Sequence, residues 1–267
     1  TGSLNYNQIK SILTEFGHNT SLFDPSETFH SLDNNFSNTN GVDITVIAGS
    51  GQPTLGQIIE EKRTSLLGTQ YVYKDISNIN GDETVPLLSA SLIDYGKSLT
   101  FLGDAKVFYT NQKHGELVNS GSALNLVKNI LDENSQLPDG VSTLPYPLDK
   151  GWLTSVHSPV NIHVYDSFGN HTGPTDNGDF EANIPGSSYD TLDDAKFIWL
   201  PDDGEYKVEF EATNNGSFDF KIRKYENDEN TETVLYNDIP LTENTKAQTS
   251  FDTSSEPSVL LVDQDGN

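Results

Sequence analysis

The chain has 267 residues with 15 Lys and Arg against 40 Asp and Glu, a net charge of −25, and no cysteine or methionine. The length suggests about two domains and is ample for a buried core. A field of that sign repels phosphate backbones and anionic headgroups, which argues against nucleic-acid binding. The missing cysteines exclude a disulfide scaffold, a thiolate metal site and cysteine catalysis. No apolar run approaches the roughly 20 residues of a membrane-spanning helix. A start at Thr1-Gly2-Ser3 without an initiator methionine reads as a processed piece of a longer polypeptide. The acidic surface reads as solubility chemistry for an exported protein, secreted or held at the cell surface.

In chain order, Ile9, Ile12, Leu13 and Phe16 recur at helical spacing and stop at Gly17, which predicts an amphipathic helix with a glycine end. Asp24-Pro25-Ser26 opens a second helix with Phe29, Leu32 and Phe36 on its buried side, and the Asn-rich stretch Asn34 to Asn40 makes a loop. Val42 to Ala48 is a β-branched run that predicts a buried strand ending in the sharp loop Gly49-Ser50-Gly51-Gln52-Pro53. Tyr71 to Lys74 reads as a shorter strand, Pro86 to Tyr95 as a helix and Lys106 to Thr110 as another strand. Leu117, Leu124, Val127, Ile130 and Leu131 mark one long helix. Strands alternating with helices in this way predict one part of an α/β sheet.

Between Leu137 and Pro159 the prolines Pro138, Pro145, Pro147 and Pro159, with Gly140 and Gly151, interrupt any regular element. That places a linker at 141–158 between a unit over 1–140 and a unit over 159–267. Charge is uneven as well: residues 1–150 carry 9 basic and 17 acidic side chains, residues 151–267 carry 6 and 23. Beyond the linker come period-two runs at Val160 to Tyr165, Phe180 to Ile184, Lys196 to Leu200, Tyr206 to Ala212, Phe218 to Tyr225, Thr233 to Tyr236, Lys246 to Phe251 and Ser258 to Val262. Phe168-Gly169-Asn170, Asp203-Gly204 and Asn215-Gly216 supply turn chemistry between them. Short strands at this spacing predict an all-β, immunoglobulin-like sandwich acting as an accessory domain.

Two loops carry candidate chemistry. Gly81-Asp82-Glu83-Thr84-Val85-Pro86 presents an acid, and Lys113-His114-Gly115 presents a histidine after strand-like sequence. A strand-end acid followed by a strand-end histidine matches the last two members of a Ser, Asp, His triad in the chain order of α/β-hydrolases. There His114 would be the general base and Asp82 would fix its tautomer. The structural alternative is an Asp82 that only caps the helix near Pro86 and a His114 that is a surface loop residue. No serine has the Gly-x-Ser-x-Gly setting of a nucleophile elbow; Ser50, in Ala48-Gly49-Ser50-Gly51-Gln52, lacks a glycine two residues away on either side.

Gly81-Asp82-Glu83-Thr84-Val85-Pro86-Leu87, preceded by Ile47-Ala48-Gly49-Ser50-Gly51-Gln52-Pro53-Thr54, resembles the closing half of the lecithin:cholesterol acyltransferase-like α/β-hydrolases over about residues 1–135. The resemblance implies the C-terminal half of an α/β-hydrolase sheet, with Asp82 as triad acid and His114 as triad histidine. It also implies a lipid or ester substrate for the full-length protein. The family pattern has a glycine where this chain has Glu83, and the serine and oxyanion-hole segments are absent from these residues. Loss of a triad serine removes about six decades of rate, so the chain alone is expected to be silent. The remaining N-terminal part of the hydrolase domain is then the expected partner. An incomplete sheet also leaves an edge and an apolar face open, which predicts a homodimer or strand exchange.

Other residues carry weaker signals. Glu83 reads as a solvated loop charge, with a calcium ligand as the alternative. Gly49, Gly51 and Pro53 shape a loop but make no phosphate cradle. His157, His163 and His171 read as strand-surface histidines, with a metal site as the alternative. Asp176, Asn177 and Asp179, Asp202 with Asp203, and the terminal Asp263-Gln264-Asp265-Gly266-Asn267 could supply oxygen ligands to Ca²⁺, the one cofactor the sequence raises. Turn formation and a frayed tail account for the same residues. Trp152 and Trp199 could stack on sugar rings, and Trp199 fits the sandwich core. The competing function is therefore a cell-surface or glycan-binding β-sandwich carried on an α/β scaffold.

Overall fold

The computed structural model describes residues 6–34, 43–65, 68–91, 93–94, 97–98, 106–157, 159–192, 194–252 and 257–265. It is a mixed α/β fold with several sheets, one of them partly parallel and the rest antiparallel, and a handful of helices. The first part contains α1 (Tyr6–Glu15), α2 (Phe23–Asn34), β1 (Thr45–Gly49), β2 (Gln52–Ser65), β3 (Gly68–Gly81), α3 (Leu87–Ser91), β4 (Ile93–Asp94) and β5 (Lys97–Ser98). Then follow β6 (Lys106–Thr110), α4 (His114–Leu117), α5 (Gly121–Leu131), β7 (Val141–Ser142) and β8 (Gly151–His157). The remainder is all strand: β9 (Val160–Asp166), β10 (His171–Pro174), β11 (Phe180–Ala182), β12 (Ser188–Leu192), β13 (Ala195–Pro201), β14 (Glu205–Ala212), β15 (Gly216–Glu226), β16 (Glu229–Leu241), β17 (Lys246–Asp252) and β18 (Leu261–Asp263).

The expected stop of α1 at Gly17 is a Schellman motif. Gly17 has φ 83°, His18 N donates to Leu13 O and Gly17 N to Thr14 O. In α2, Pro25 sits in the first turn, where its missing N–H costs nothing. Phe29, expected on a buried side, is instead 72% exposed. The side chain of Leu32, Phe36 and most of the Asn34–Asn40 loop lie outside the described residues, as do Leu92 and Tyr95 of the helix expected over 86–95. The described part of that helix is the single turn and a half of α3.

β1 and β6 pair in parallel from Thr45 with Lys106 to Gly49 with Thr110, and β7 adds antiparallel to β6. Between β1 and β6 the chain makes a long β2–β3 hairpin; the strand read at Tyr71 to Lys74 is part of β3, which runs further at both ends, and β2 is not revealed by periodicity. The hairpin's register shifts between Leu55 and Gln57 and between Ile59 and Glu60. The one long helix expected from Leu117 is two helices. Ser120 breaks it by accepting from Ala123 N, an N-cap that starts α5.

The antiparallel strands form a six-stranded sheet, β11-β10-β9-β14-β17-β18, and a five-stranded sheet, β12-β13-β8-β15-β16. Inward residues of both share one buried cluster that includes Ile162, Val164, Val208, Phe210, Phe218, Phe220, Ile222, Trp152, Val156 and Ile198. The five-stranded sheet buries its other face too. There Leu153, Phe197, Trp199 and Tyr225 pack with Leu148 and Ala195, and Leu55 of the β2–β3 hairpin leans on them.

Gly151–His157 was expected to be irregular linker. It is the middle strand of that sheet, paired with β13 on one side and β15 on the other. The reason is local: Pro145, Pro147 and Pro159 flank the segment, and Gly151, the one breaker inside it, is only its first residue. Because both faces are covered, Trp152 to Val156 is buried without alternation. Removing Leu153, which is fully buried, leaves a cavity between the hairpin and the sheet. Leu153→Ala is expected to lower the unfolding free energy by about 2–5 kcal/mol in urea titration. A loss below about 1 kcal/mol would mean that this face is not packed.

Candidate acid and histidine site

Asp82 follows directly on β3, and His114 opens α4 after β6, so two strand ends deliver them to one place. The Asp82 side chain is 3% exposed. Its Oδ1 accepts from Val85 N at 2.7 Å and Thr84 N at 3.1 Å, and its Oδ2 faces His114 Nδ1 at 2.9 Å. Oδ1 closes a turn over Thr84 and Val85, before α3 begins at Leu87, and so does not cap that helix, while Oδ2 meets the histidine. The backbones join as well, His114 N donating to Asp82 O at 2.7 Å.

With a carboxylate as acceptor, Nδ1 is the donor, and in the neutral tautomer of that bond Nε2 keeps its lone pair. The His114 side chain is 51% exposed, and among the described residues Nε2 makes no hydrogen bond. The arrangement is a buried carboxyl group bonded to a half-exposed imidazole.

Close approach by glycine makes this possible. A Cβ on Gly49 would lie 2.5 Å from Asp82 Cβ and 2.8 Å from Gln112 O, and one on Gly81 would lie 2.4 Å from Thr54 Oγ1. Thr54, itself buried, accepts from Glu83 N at 3.0 Å. Glu83 has φ 78°, a left-handed conformation that costs a non-glycine residue roughly 1–2 kcal/mol. The Glu83 carboxylate pairs with Lys113 Nζ, bridging the acid and histidine loops. Both ends are partly exposed, so the pair is worth about 0–1 kcal/mol and does not repay the backbone cost. Sequence reasoning missed Thr54 and Lys113, whose roles exist only once the loops meet.

Ser50 is fully buried, and its Oγ accepts from Tyr146 N at 3.0 Å, so its hydroxyl serves the loop rather than His114.

The other histidines partly converge. His163 Nδ1 and His171 Nε2 are 3.0 Å apart, and His171 Nδ1 lies 2.6 Å from Glu181 Oε1. Ring centroids 5.2 Å apart with planes at 22° put the two facing nitrogens nearly on the line between the rings. Their lone pairs do not aim at a shared third point, so this is an imidazole–imidazole hydrogen bond rather than a chelate. His157 stands apart, edge-on to Phe197. Among the described residues no group of three or more His, Asp or Glu is arranged to hold a metal.

Asp202 Oδ1 accepts from Trp152 Nε1 at 3.1 Å and lies 3.6 Å from Lys224 Nζ, so its carboxylate is used within the fold. Thr175 to Asp179 is a turn closed by Thr175 N donating to Asp179 O. Asp263 Oδ1 accepts from Asp265 N, while Gly266 and Asn267 lie outside the described residues. Trp152 and Trp199 are both buried, 2% and 3% exposed, which removes the two sugar-stacking candidates from the surface.

No family model matches the chain, and no curated protein matches it. Among solved structures the chain is similar to a crystal structure of a domain of unknown function from Bacteroides vulgatus. The match is at 9% identity over 45% of this chain and 98% of that one, with a TM-score of 0.20, too low to carry an argument.

Gly49→Ala forces a methyl group into the space of Asp82 and is expected to cost about 1–3 kcal/mol. NMR of the variant should also show the His114 Nδ1–H signal lost; a variant with wild-type stability and signal would contradict the packing.

The histidine pair makes a separate pH prediction. Burial, then the neighbouring His171, push the His163 imidazole below its ordinary value of 6.5, against the opposing pull of Glu211, Glu209 and Asp176. The hydrogen bond from His171 holds the Glu181 carboxyl below its usual 4.5. Both depressed groups bind fewer protons in the folded state. Their stabilisation is therefore present above the unfolded values and is lost as pH falls, first below about 6.5 for His163. Protonated His163 would also carry its new proton on a buried Nε2 that has no partner. Amide exchange in β9 and β10, corrected for intrinsic rates, is expected to be faster at pH 5 than at pH 7. Equal or greater protection at pH 5 would contradict it.

Proposed function

We propose that this chain supplies the acid and general base of an exported serine hydrolase or acyltransferase of the lecithin:cholesterol acyltransferase-like type. Its nucleophile and oxyanion donors would come from polypeptide outside these 267 residues. On this reading the β1-β6-β7 sheet with α3 and α5 is the closing part of an α/β-hydrolase sheet. The two large antiparallel sheets are a β-sandwich accessory domain.

The observation that supports it is the 2.9 Å contact between His114 Nδ1 and the buried Asp82, on an imidazole that is half exposed. A serine hydroxyl brought to Nε2 would pass its proton there as its oxygen attacks an ester carbonyl. Asp82 would stabilise the imidazolium, and Nε2 would return the proton to the leaving alcohol. Water or an acceptor alcohol, deprotonated by the same nitrogen, would then release the acyl group.

The test is hydrolysis of short-chain p-nitrophenyl esters by the 267-residue chain alone and by the chain joined to the polypeptide encoded immediately before it. The chain alone should be silent, and the joined protein should show turnover that a serine-directed phosphonate abolishes. Asp82→Asn should lower kcat by about four decades and His114→Ala by up to about six. Turnover that survives both substitutions would reject the reading.

A further inference from the structure

The acid loop is held from the antiparallel sheets. Asn80 lies two residues before Asp82, and its amide joins three separate segments. Oδ1 accepts from Gly51 N at 2.7 Å, and Nδ2 donates to Tyr146 O at 2.8 Å and to Asp228 Oδ1 at 3.1 Å. Both amide hydrogens are thereby used. Asp228 Oδ1 also accepts from Leu148 N at 2.9 Å. Gly51 belongs to the loop whose Gly49 abuts Asp82, so Asn80 fastens the floor of the site to the strand that carries the acid.

Asp228 stands 148 residues beyond Asn80, in the two-residue turn between β15 and β16. Asn227 and Asp228 have φ 51° and 67°, the left-handed pair of a tight hairpin turn whose second position favours glycine. An aspartate there accepts a backbone cost that glycine would avoid. The side chain retained at that cost is the one that reaches Asn80 and Leu148.

We propose that Asp228 is a positioning residue for the Asp82–His114 pair, acting through Asn80, so that the β15–β16 turn sets the geometry of the site. The inference rests on reading Asp82 and His114 as an acid–base pair. Without the Asp228 carboxylate, one Asn80 N–H and the Leu148 N–H lose their acceptor, and the segment Asn80-Gly81-Asp82 loses its far anchor. The Asp82–His114 hydrogen bond then opens more often.

The test uses the 267-residue chain and reads the exchange rate of the His114 Nδ1–H proton with water by NMR. Asp228→Gly suits the turn backbone, so the fold should persist, as thermal unfolding will show. It should nevertheless raise the exchange rate by about threefold to tenfold, the factor for one weakened hydrogen bond. Asp228→Asn keeps an oxygen acceptor and tolerates the turn, and should restore the wild-type rate. Asp82→Asn is the reference and should remove the protected signal. A wild-type rate in Asp228→Gly, with the signal lost in Asp82→Asn, overturns the positioning role alone. A signal unchanged in Asp82→Asn overturns the acid–base reading and the inference with it. A role confined to stability would lower the unfolding temperature of Asp228→Gly and leave the exchange rate unmoved, which also overturns the proposal.

Discussion

Asp82 has given up almost all of its contact with water, and a carboxylate so placed needs hydrogen-bond donors at both oxygens. Much of the surrounding architecture follows from meeting that need. Val85 and Thr84 turn their N–H groups back onto Oδ1, which forces the tight path through Glu83. Oδ2 is left for a side chain, and the parallel pairing of β1 with β6 delivers His114 to it. Glycines 49 and 81 are the vacancies into which the acid and its loop are pressed. A larger residue at either place would push the carboxylate away from its donors.

The five-stranded sheet meets a second constraint, since it is covered on both faces. One face closes the core shared with the six-stranded sheet, and the other receives Leu148 and the β2–β3 hairpin through Leu55. Leu55, in the strand hydrogen-bonded to the one that ends at Gly81, thus packs on aromatic and aliphatic side chains of the five-stranded sheet. The hydrogen bonds of Asn80 tie the acid loop to Gly51, Tyr146 and Asp228.

The parts legible in the sequence were those where backbone demands select unusual residues. Gly17 marked a helix end, and the Gly81 to Pro86 and Lys113 to Gly115 loops marked the acid and the histidine, which the fold brings to 2.9 Å. Illegible parts each have a physical cause. Register shifts interrupt the β2–β3 hairpin. Burial on both faces erases alternation in Gly151–His157, which the flanking prolines make read as linker. Phe29 was placed inside by its apolar character and lies outside. Asp228 reaches Asn80 across 148 residues, a contact no local pattern encodes.

The interaction of the Asp82 carboxyl group with the His114 imidazole can be measured by a double-mutant cycle on folding stability. With Asp82→Asn, His114→Ala and the double variant, a coupling energy of about 1 kcal/mol or more is expected, as for a hydrogen bond to a charged group. Single effects that add to within about 0.5 kcal/mol would contradict it.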